Sequence, residues 1–239
     1  MKLEQQITVG EVAAAIPEAT RVFEKLGIDY CCGGGSTLES ACKAHGLSYE
    51  DVAASLAALE KHAPGGERDW QTAPLAELIG HIVAKHHAFV RSETPRLAAL
   101  IAKVVGVHGK NHPELARVQQ VFAQVEQELT MHMMKEEQIL FPAVIQMEEA
   151  KQRGAEATPP MFGTVRNPIR VMVAEHDSAG EAFSTMREAT QNFSAPEDAC
   201  ISYRTLYNAL LEFEADLHQH IHLENNILFP RAIELEGQQ

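Results

Sequence analysis

The chain predicts an all-α protein, a four-helix bundle preceded by a small helical N-terminal domain. Three observations carry this. Apolar residues recur at steps of three and four over long stretches, the period of an amphipathic helix. Alternating β-branched runs joined by Asn-Gly turns, the mark of strands, are nearly absent. One phrase also occurs twice: residues 132–142 read HMMKEEQILFP and residues 220–230 read HIHLENNILFP, 88 positions apart.

The elements follow in order. Residues 1–61 form the small domain, with Thr8 and Ser48 as helix caps and Gly27, Gly33-Gly34-Gly35 and Gly46 as breaks. A turn-rich linker, 62–72, contains HAPGGERDW (62–70). The bundle occupies 73–239. Its first helix starts near Ala73-Pro74 and runs toward Val90 or beyond, ahead of the turn-rich VHGKNHPE at 107–114. The second runs from about Pro113 to Lys151, and a loop covers 153–168. The third spans about Pro168 to Asn192. The fourth spans about 196 to 235, opened by SAPED.

Composition narrows the function. An apolar fraction of 45% with 22% charged residues is that of a soluble globular protein. A net charge of −13 argues against nucleic acid and anionic membranes as partners, since both demand a basic surface. No apolar run reaches membrane-span length, and MKLEQQITVG lacks a signal-peptide core, so a cytoplasmic location is expected. Four cysteines in a chain of this length make no disulfide framework and suit a reducing compartment.

The repeated phrase carries the chemistry. Each copy holds a His and, four residues later, a Glu: His132 with Glu136, and His220 with Glu224. Residues four apart share a helix face. Val118, Phe122, Val125, Leu129, His132, Glu136, Leu140 and Val144 form one apolar stripe. Leu206, Leu210, Phe213, Leu217, His220, Glu224 and Leu228 form the other. Both His/Glu pairs thus interrupt core faces, where a carboxylate is costly unless paired or bound to metal. One buried hydrogen-bonded pair is common; two in register point to a two-metal site.

Each half then needs a further ligand. His176 continues the stripe Ile169, Met172, Val173 in the third helix. The first helix offers His81, His86 and His87. Local similarity of VAKH (83–86) to VAEH (173–176) favours His86, whereas spacing to the downstream phrase favours His87; periodicity admits both. Four imidazoles and two carboxylates suit iron, manganese or zinc. Metals in such pairs sit ~3.5–4 Å apart, a span that Glu136 and Glu224 can bridge. Ferritin-type bundles use Glu-x-x-His and zinc proteases HExxH; the order here is His-x-x-x-Glu with histidine predominating, the hemerythrin manner of ligation.

Other candidates read more plainly. His218 and His222 fall off the stripe and are expected to be exposed, His81 and His86 to neighbour the site, and His45, His62, His108 and His112 to have no role in loops or linkers. Met131, Met133 and Met134 are expected to fill core rather than bind copper. Cys31 and Cys32 precede three glycines, so accessible thiols of lowered pKa are expected there; Cys42 and Cys200 carry no motif.

Over nearly its whole length the chain resembles the repair of iron centres (RIC) family, di-iron proteins of bacteria with a hemerythrin-like bundle. IDYCCGGGSTL (28–38), DWQTAPLAELIGHIVAKHH and the two phrases carry the likeness. The family's first ligand His lies four residues before an Arg and eight before a Pro; here that is His87, with Arg91 and Pro95. The resemblance implies His87, His132, Glu136, His176, His220 and Glu224 as ligands of two non-haem irons, oxo- and carboxylate-bridged. It also implies acidic residues near the pocket at Glu128 and Glu175, and a redox, nitric oxide or iron-transfer role for Cys31 and Cys32.

The implied function is repair of iron–sulfur clusters after nitrosative or oxidative damage, by iron donation, nitric oxide handling or both. Its partners would be damaged iron–sulfur proteins as clients, with nitric oxide or O2 as small ligands, in a monomer or homodimer. The rivals are a nitric oxide reductase forming nitrous oxide and a hemerythrin-like O2 or NO binding protein.

Overall fold

Cooperating apolar stripes and side-chain caps build eight helices in a computed structural model, which describes residues 6–60, 68–155, 158 and 160–238. The small helices are α1 (Val9–Ala15), α2 (Ala19–Leu26), α3 (Leu38–Ala44) and α4 (Tyr49–Glu60), with a 3-10 turn at Gly33–Gly35. Helix α5 joins Leu75–Ile82, a π-helical turn Val83–His87, and Ala88–His108. Helix α6 joins Glu114–Lys135, a π turn Glu136–Leu140, and Phe141–Gln152. Helix α7 is Arg166–Ala189. Helix α8 joins Ile201–Leu223, a π turn Glu224–Leu228, and Phe229–Gly237. Among the described residues the extended backbone pairs only at the bridge Thr8–Thr37. The fold class is all-α, as expected. The linker expectation at 62–67, with His62, lies outside the described residues.

The chain divides into two compact units. One comprises Met1–Ile79, Met147–Thr158 and His218–Gln239; the other comprises Gly80–Gln146 and Pro159–Leu217.

The second unit is a four-helix bundle made of the greater part of α5 to α8. Phe213 of α8 lies at its centre, with ring centroids 6.0 Å from Phe89, 5.9 Å from Phe122 and 6.0 Å from Phe183, so one side chain touches the three other helices. Every member of the two stripes read from the sequence is buried. The methionine expectation holds only for Met133; Met131 and Met134 face outward, because their positions fall between the stripe residues. Arg187 donates to Glu214 through Nε and Nη2, one to each carboxylate oxygen, joining α7 to α8 where Glu214 is nearly buried. Helix α8 starts at Ile201 rather than near 196, because Pro196 and the residues after it form a turn in which Ala199 N–H donates to Pro196 O.

In the first unit Thr8 and Glu11 cap α1 reciprocally, and Ser48 accepts from Asp51 N–H at the start of α4. Glu148, near the end of α6, accepts from the N–H groups of Leu75 and Ala76 at 2.7 and 2.9 Å, satisfying donors that the first turn of α5 leaves over. Arg231 donates to Trp70 O and Ala73 O at 2.7 Å each. Close approach makes two glycines obligatory. A Cβ at Gly10 would lie 2.4 Å from Asn226 Oδ1, and one at Gly34 would lie 2.8 Å from that atom and 3.2 Å from Gly10 Cα.

Because Phe213 is 1% exposed and central to the bundle unit, Phe213→Ala should cost about 3–5 kcal/mol, read as a lowered urea midpoint. A loss under about 1 kcal/mol would show that the aromatic cluster is not what holds the four helices.

Candidate metal centre

Within the bundle unit, three helices bring His87, His132, Glu136 and His176 together, all at most 2% exposed. Glu136 Oε2 lies 3.4 Å from His87 Nε2 and 3.3 Å from His132 Nε2, so one carboxylate faces imidazoles from two helices. His176 Nε2 approaches His132 Nε2 to 3.1 Å. The candidate ligand atoms of His132, Glu136 and His176 lie within 4.8 Å of one another, a group able to hold a metal ion.

The opposite ring nitrogens are held from behind. His87 Nδ1 lies 2.6 Å from Glu137 Oε1, which also accepts from Arg91 at 2.6 Å. Burial raises the Glu137 pKa, but the hydrogen bonds from His87 and Arg91 outweigh it and hold the carboxyl below its usual range. His132 Nδ1 lies 2.9 Å from Glu175 Oε2, whose other oxygen binds Lys135. That His132 contact, with Lys135, pulls Glu175 down to about 2 against partial burial. An ionised carboxylate only accepts, so each Nδ1 donates to the carboxylate behind it and each ring turns its Nε2 toward Glu136. Carboxylates behind histidines in this manner fix ring orientation in metal sites.

In the sequence Glu137 carries no signal beyond standing beside Glu136 in the repeated phrase. The π turn at Glu136–Leu140 is what lets neighbouring glutamates reach the two nitrogens of one imidazole: Phe141 N–H bonds back five residues to Glu136 O, which widens the turn. Pro142 follows, and having no N–H it has no helical bond to lose there. His86 points elsewhere and binds Asp216 at 3.0 Å, while His81 packs edge-on against it. Glu128 is exposed and accepts from Ser178 at 3.2 Å; it is not among the groups gathered around Glu136.

The first unit holds the second phrase. His220 Nε2 lies 3.0 Å from Glu224 Oε1, with both side chains at most 1% exposed. A π turn again begins at the glutamate, closed by Phe229 N–H on Glu224 O and followed by Pro230. Here the residues after the glutamate are asparagines, and they grip the N-terminal segment. Asn226 donates to Tyr30 O at 3.0 Å and Asn225 to Cys31 O at 3.4 Å. Gln219 donates to the Tyr30 hydroxyl, which in turn donates to Glu24, each at 2.8 Å. His222 was expected to be exposed. It is 3% exposed, because Tyr30 packs edge-on against its ring at 5.5 Å, and burial pushes its pKa down to about 4.

Residues 78–232 match the Hemerythrin HHE cation binding domain family, and residues 5–60 match a Domain of Unknown function (DUF542). The chain is 40% identical to the iron-sulfur cluster repair protein YtfE of Yersinia pseudotuberculosis, over 95% of this chain and 96% of that one. It is also 40% identical to the protein of that name from Citrobacter koseri, over 94% and 96%, and to that from Yersinia pestis, over 95% and 96%. The chain belongs to the hemerythrin-like family of iron–sulfur cluster repair proteins. The cation-binding domain of this family spans all six residues named as ligands from the sequence.

One of the paired cysteines differs from expectation. Cys31 is 4% exposed, and its thiol is pushed up, first by the hydrogen bond to Cys32 and then by burial and Asp29. The two Sγ atoms stand 4.0 Å apart. The amides that the glycine run was expected to expose turn instead to Asp29, which accepts from the N–H groups of Cys31, Cys32 and Gly33 at 2.8–3.0 Å. An Asp two residues before such a pair is the sequence signal of this Asx turn.

Because Asn225 holds the Cys31 carbonyl, Asn225→Ala should speed modification of Cys31 by a neutral thiol reagent about 3- to 10-fold, the effect of one lost hydrogen bond. The background would carry Cys32→Ser, Cys42→Ser and Cys200→Ser. An unchanged rate would show that the asparagine contact does not shield the thiol.

Proposed function

We propose that this protein repairs iron–sulfur clusters damaged by nitrosative or oxidative stress, using two non-haem irons held by His87, His132, Glu136, His176, His220 and Glu224. The supporting observation is Glu136: a fully buried carboxylate between two Nε2 atoms whose partner nitrogens are already held by Glu137 and Glu175. Donors of this kind, with no thiolate among them, fit iron better than a soft metal. His220 and Glu224 add a second imidazole–carboxylate pair on α8, and Glu136 and Glu224 are the carboxylates that would help hold the ions. The relatives that match over nearly the full chain are named for cluster repair.

Bound there, iron would supply redox activity and coordination positions open to a small ligand. The protein's own groups do the positioning. Glu137 and Glu175 keep the Nδ1 protons of His87 and His132 in place, so both rings stay turned toward the site. Lys135 and Arg91 hold those two carboxylates ionised at the partly exposed rim. Phe141 stacks on His87 at 5.8 Å and walls that ring off from water. The damaged clusters would be substrates carried by iron–sulfur protein clients, repaired by iron donation, nitric oxide handling or both. No helix among the described residues is long and apolar enough to cross a membrane; with thiols at Cys31 and Cys32, we place the protein in the cytoplasm. The relatives' names lend nothing to the rival activities, nitric oxide reduction or reversible O2 or NO carriage.

Metal analysis after anaerobic reconstitution should find about two irons per chain, coupled by Mössbauer spectroscopy. Glu136→Ala should lose at least one of them; retention of both with unchanged spectra removes Glu136 from the ligands. Glu175→Gln should weaken iron binding by roughly 10–100-fold, because it loosens the hold on His132 rather than removing a donor. Iron-loaded protein should restore activity to a nitric oxide-damaged iron–sulfur enzyme, and the Glu136→Ala protein should not. Equal recovery with both would reject repair by this centre.

A further inference from the structure

At one end of the bundle unit a second set of metal-binding side chains converges, formed by residues that looked inert in the sequence. His108 closes α5, His112 lies in the turn that follows, and Asp198 and Cys200 lie just ahead of α8. His112 Nε2 is 3.1 Å from Asp198 Oδ2, and His108 Nε2 is 3.2 Å from Cys200 Sγ. The candidate donor atoms of His108, His112 and Asp198 all lie within 4.8 Å of one another. A tetrahedral ion with bonds of about 2.0–2.3 Å sets its ligands roughly 3.3–3.8 Å apart. The two pairs are already close to that spacing.

The histidine is also buttressed as a metal ligand would be. His112 Nδ1 lies 3.0 Å from Glu114 Oε1, and the Tyr203 hydroxyl donates to the same oxygen at 3.3 Å. Tyr203 is fully buried and touches both imidazoles, with ring centroids 5.3 Å from His108 and 5.5 Å from His112. Glu114 thus fixes the tautomer that leaves Nε2 facing Asp198, the carboxylate–histidine–metal arrangement. Asp198 and Cys200 are exposed, so an ion can enter from solvent.

We propose that His108, His112, Asp198 and Cys200 form a mononuclear site for a divalent transition metal of the zinc or ferrous class. Two imidazoles, a carboxylate and a thiolate suit such borderline ions and disfavour calcium or magnesium. On binding, the Cys200 thiol gives its proton to solvent and the sulfur bonds the ion. The ion ties the α5–α6 turn to the start of α8. It is independent of the His/Glu centre: His108 is 21 residues beyond His87 on the same helix, about 30 Å away at 1.5 Å per residue.

Cobalt(II) alone is a suitable probe, added to the iron-loaded full-length protein. About one further equivalent should bind, with the ligand-field bands of a tetrahedral ion and a cobalt–thiolate charge-transfer band. Asp198→Asn and His108→Gln should lose that equivalent, and Cys200→Ser should lose the charge-transfer band. Glu114→Gln should weaken cobalt binding about 10–100-fold. Cys31→Ser/Cys32→Ser should change nothing, which separates this site from the N-terminal thiols. Unaltered iron content and helical circular dichroism would show that each variant is folded and that the His/Glu centre is intact. The proposal is overturned if the wild type takes up no further cobalt, if Asp198→Asn binds it equally well, or if the thiolate band survives Cys200→Ser.

Discussion

Two glutamates with no exposed surface, Glu136 and Glu224, are the constraint around which the rest of the protein is arranged. A carboxylate removed from water costs several kcal/mol unless nearby groups compensate it. Around Glu136 stand imidazole nitrogens rather than apolar carbon: the Nε2 atoms of His87 and His132 face it, and His176 stands against His132. On α8, His220 meets Glu224 in the same way. An apolar core alone would have rejected both glutamates, so their place inside the stripes is the strongest physical statement that the chain makes.

Imidazoles serve such a site only if they are turned the right way, and the helices make special provision for this. Among the described residues π turns occur at Val83–His87, Glu136–Leu140 and Glu224–Leu228, and each carries or adjoins a candidate site residue. Widening the helix by one residue lets consecutive side chains point inward together. In the first phrase the added inward residue is Glu137, which steadies His87. In the second it is an asparagine pair, which holds the backbone of Tyr30 and Cys31. The same repeated turn therefore steadies His87 in one copy and attaches the cysteine segment in the other. Gly10 and Gly34 complete that attachment by leaving space for Asn226.

Much of this was legible in the residues. The stripes through His132/Glu136 and His220/Glu224 are buried along their full length, and the caps at Thr8 and Ser48 form where they were expected. Those features are local: they depend on helical period and on side chains three or four residues apart. The choice between His86 and His87 was not local. Both are buried on α5, and what separates them is their partners on other helices: Glu136 and Glu137 for His87, Asp216 for His86. His222 and Cys31 were misread for the same reason, because each is covered by a segment nearly 200 positions away. The grouping of His108, His112 and Asp198, with Cys200 beside His108, likewise joins two turns with no periodicity to announce it.

The amino-acid order by itself determined the helical class, the core faces and the placing of two His/Glu pairs within them. Hydrophobic period and i, i+4 geometry need nothing beyond the helix that carries them. Tertiary packing decided which nitrogen of each imidazole faces inward and which carboxylate stands behind it. It also decided which cysteine is covered. These depend on contacts between helices distant in sequence, and no one helix contains the information to specify them.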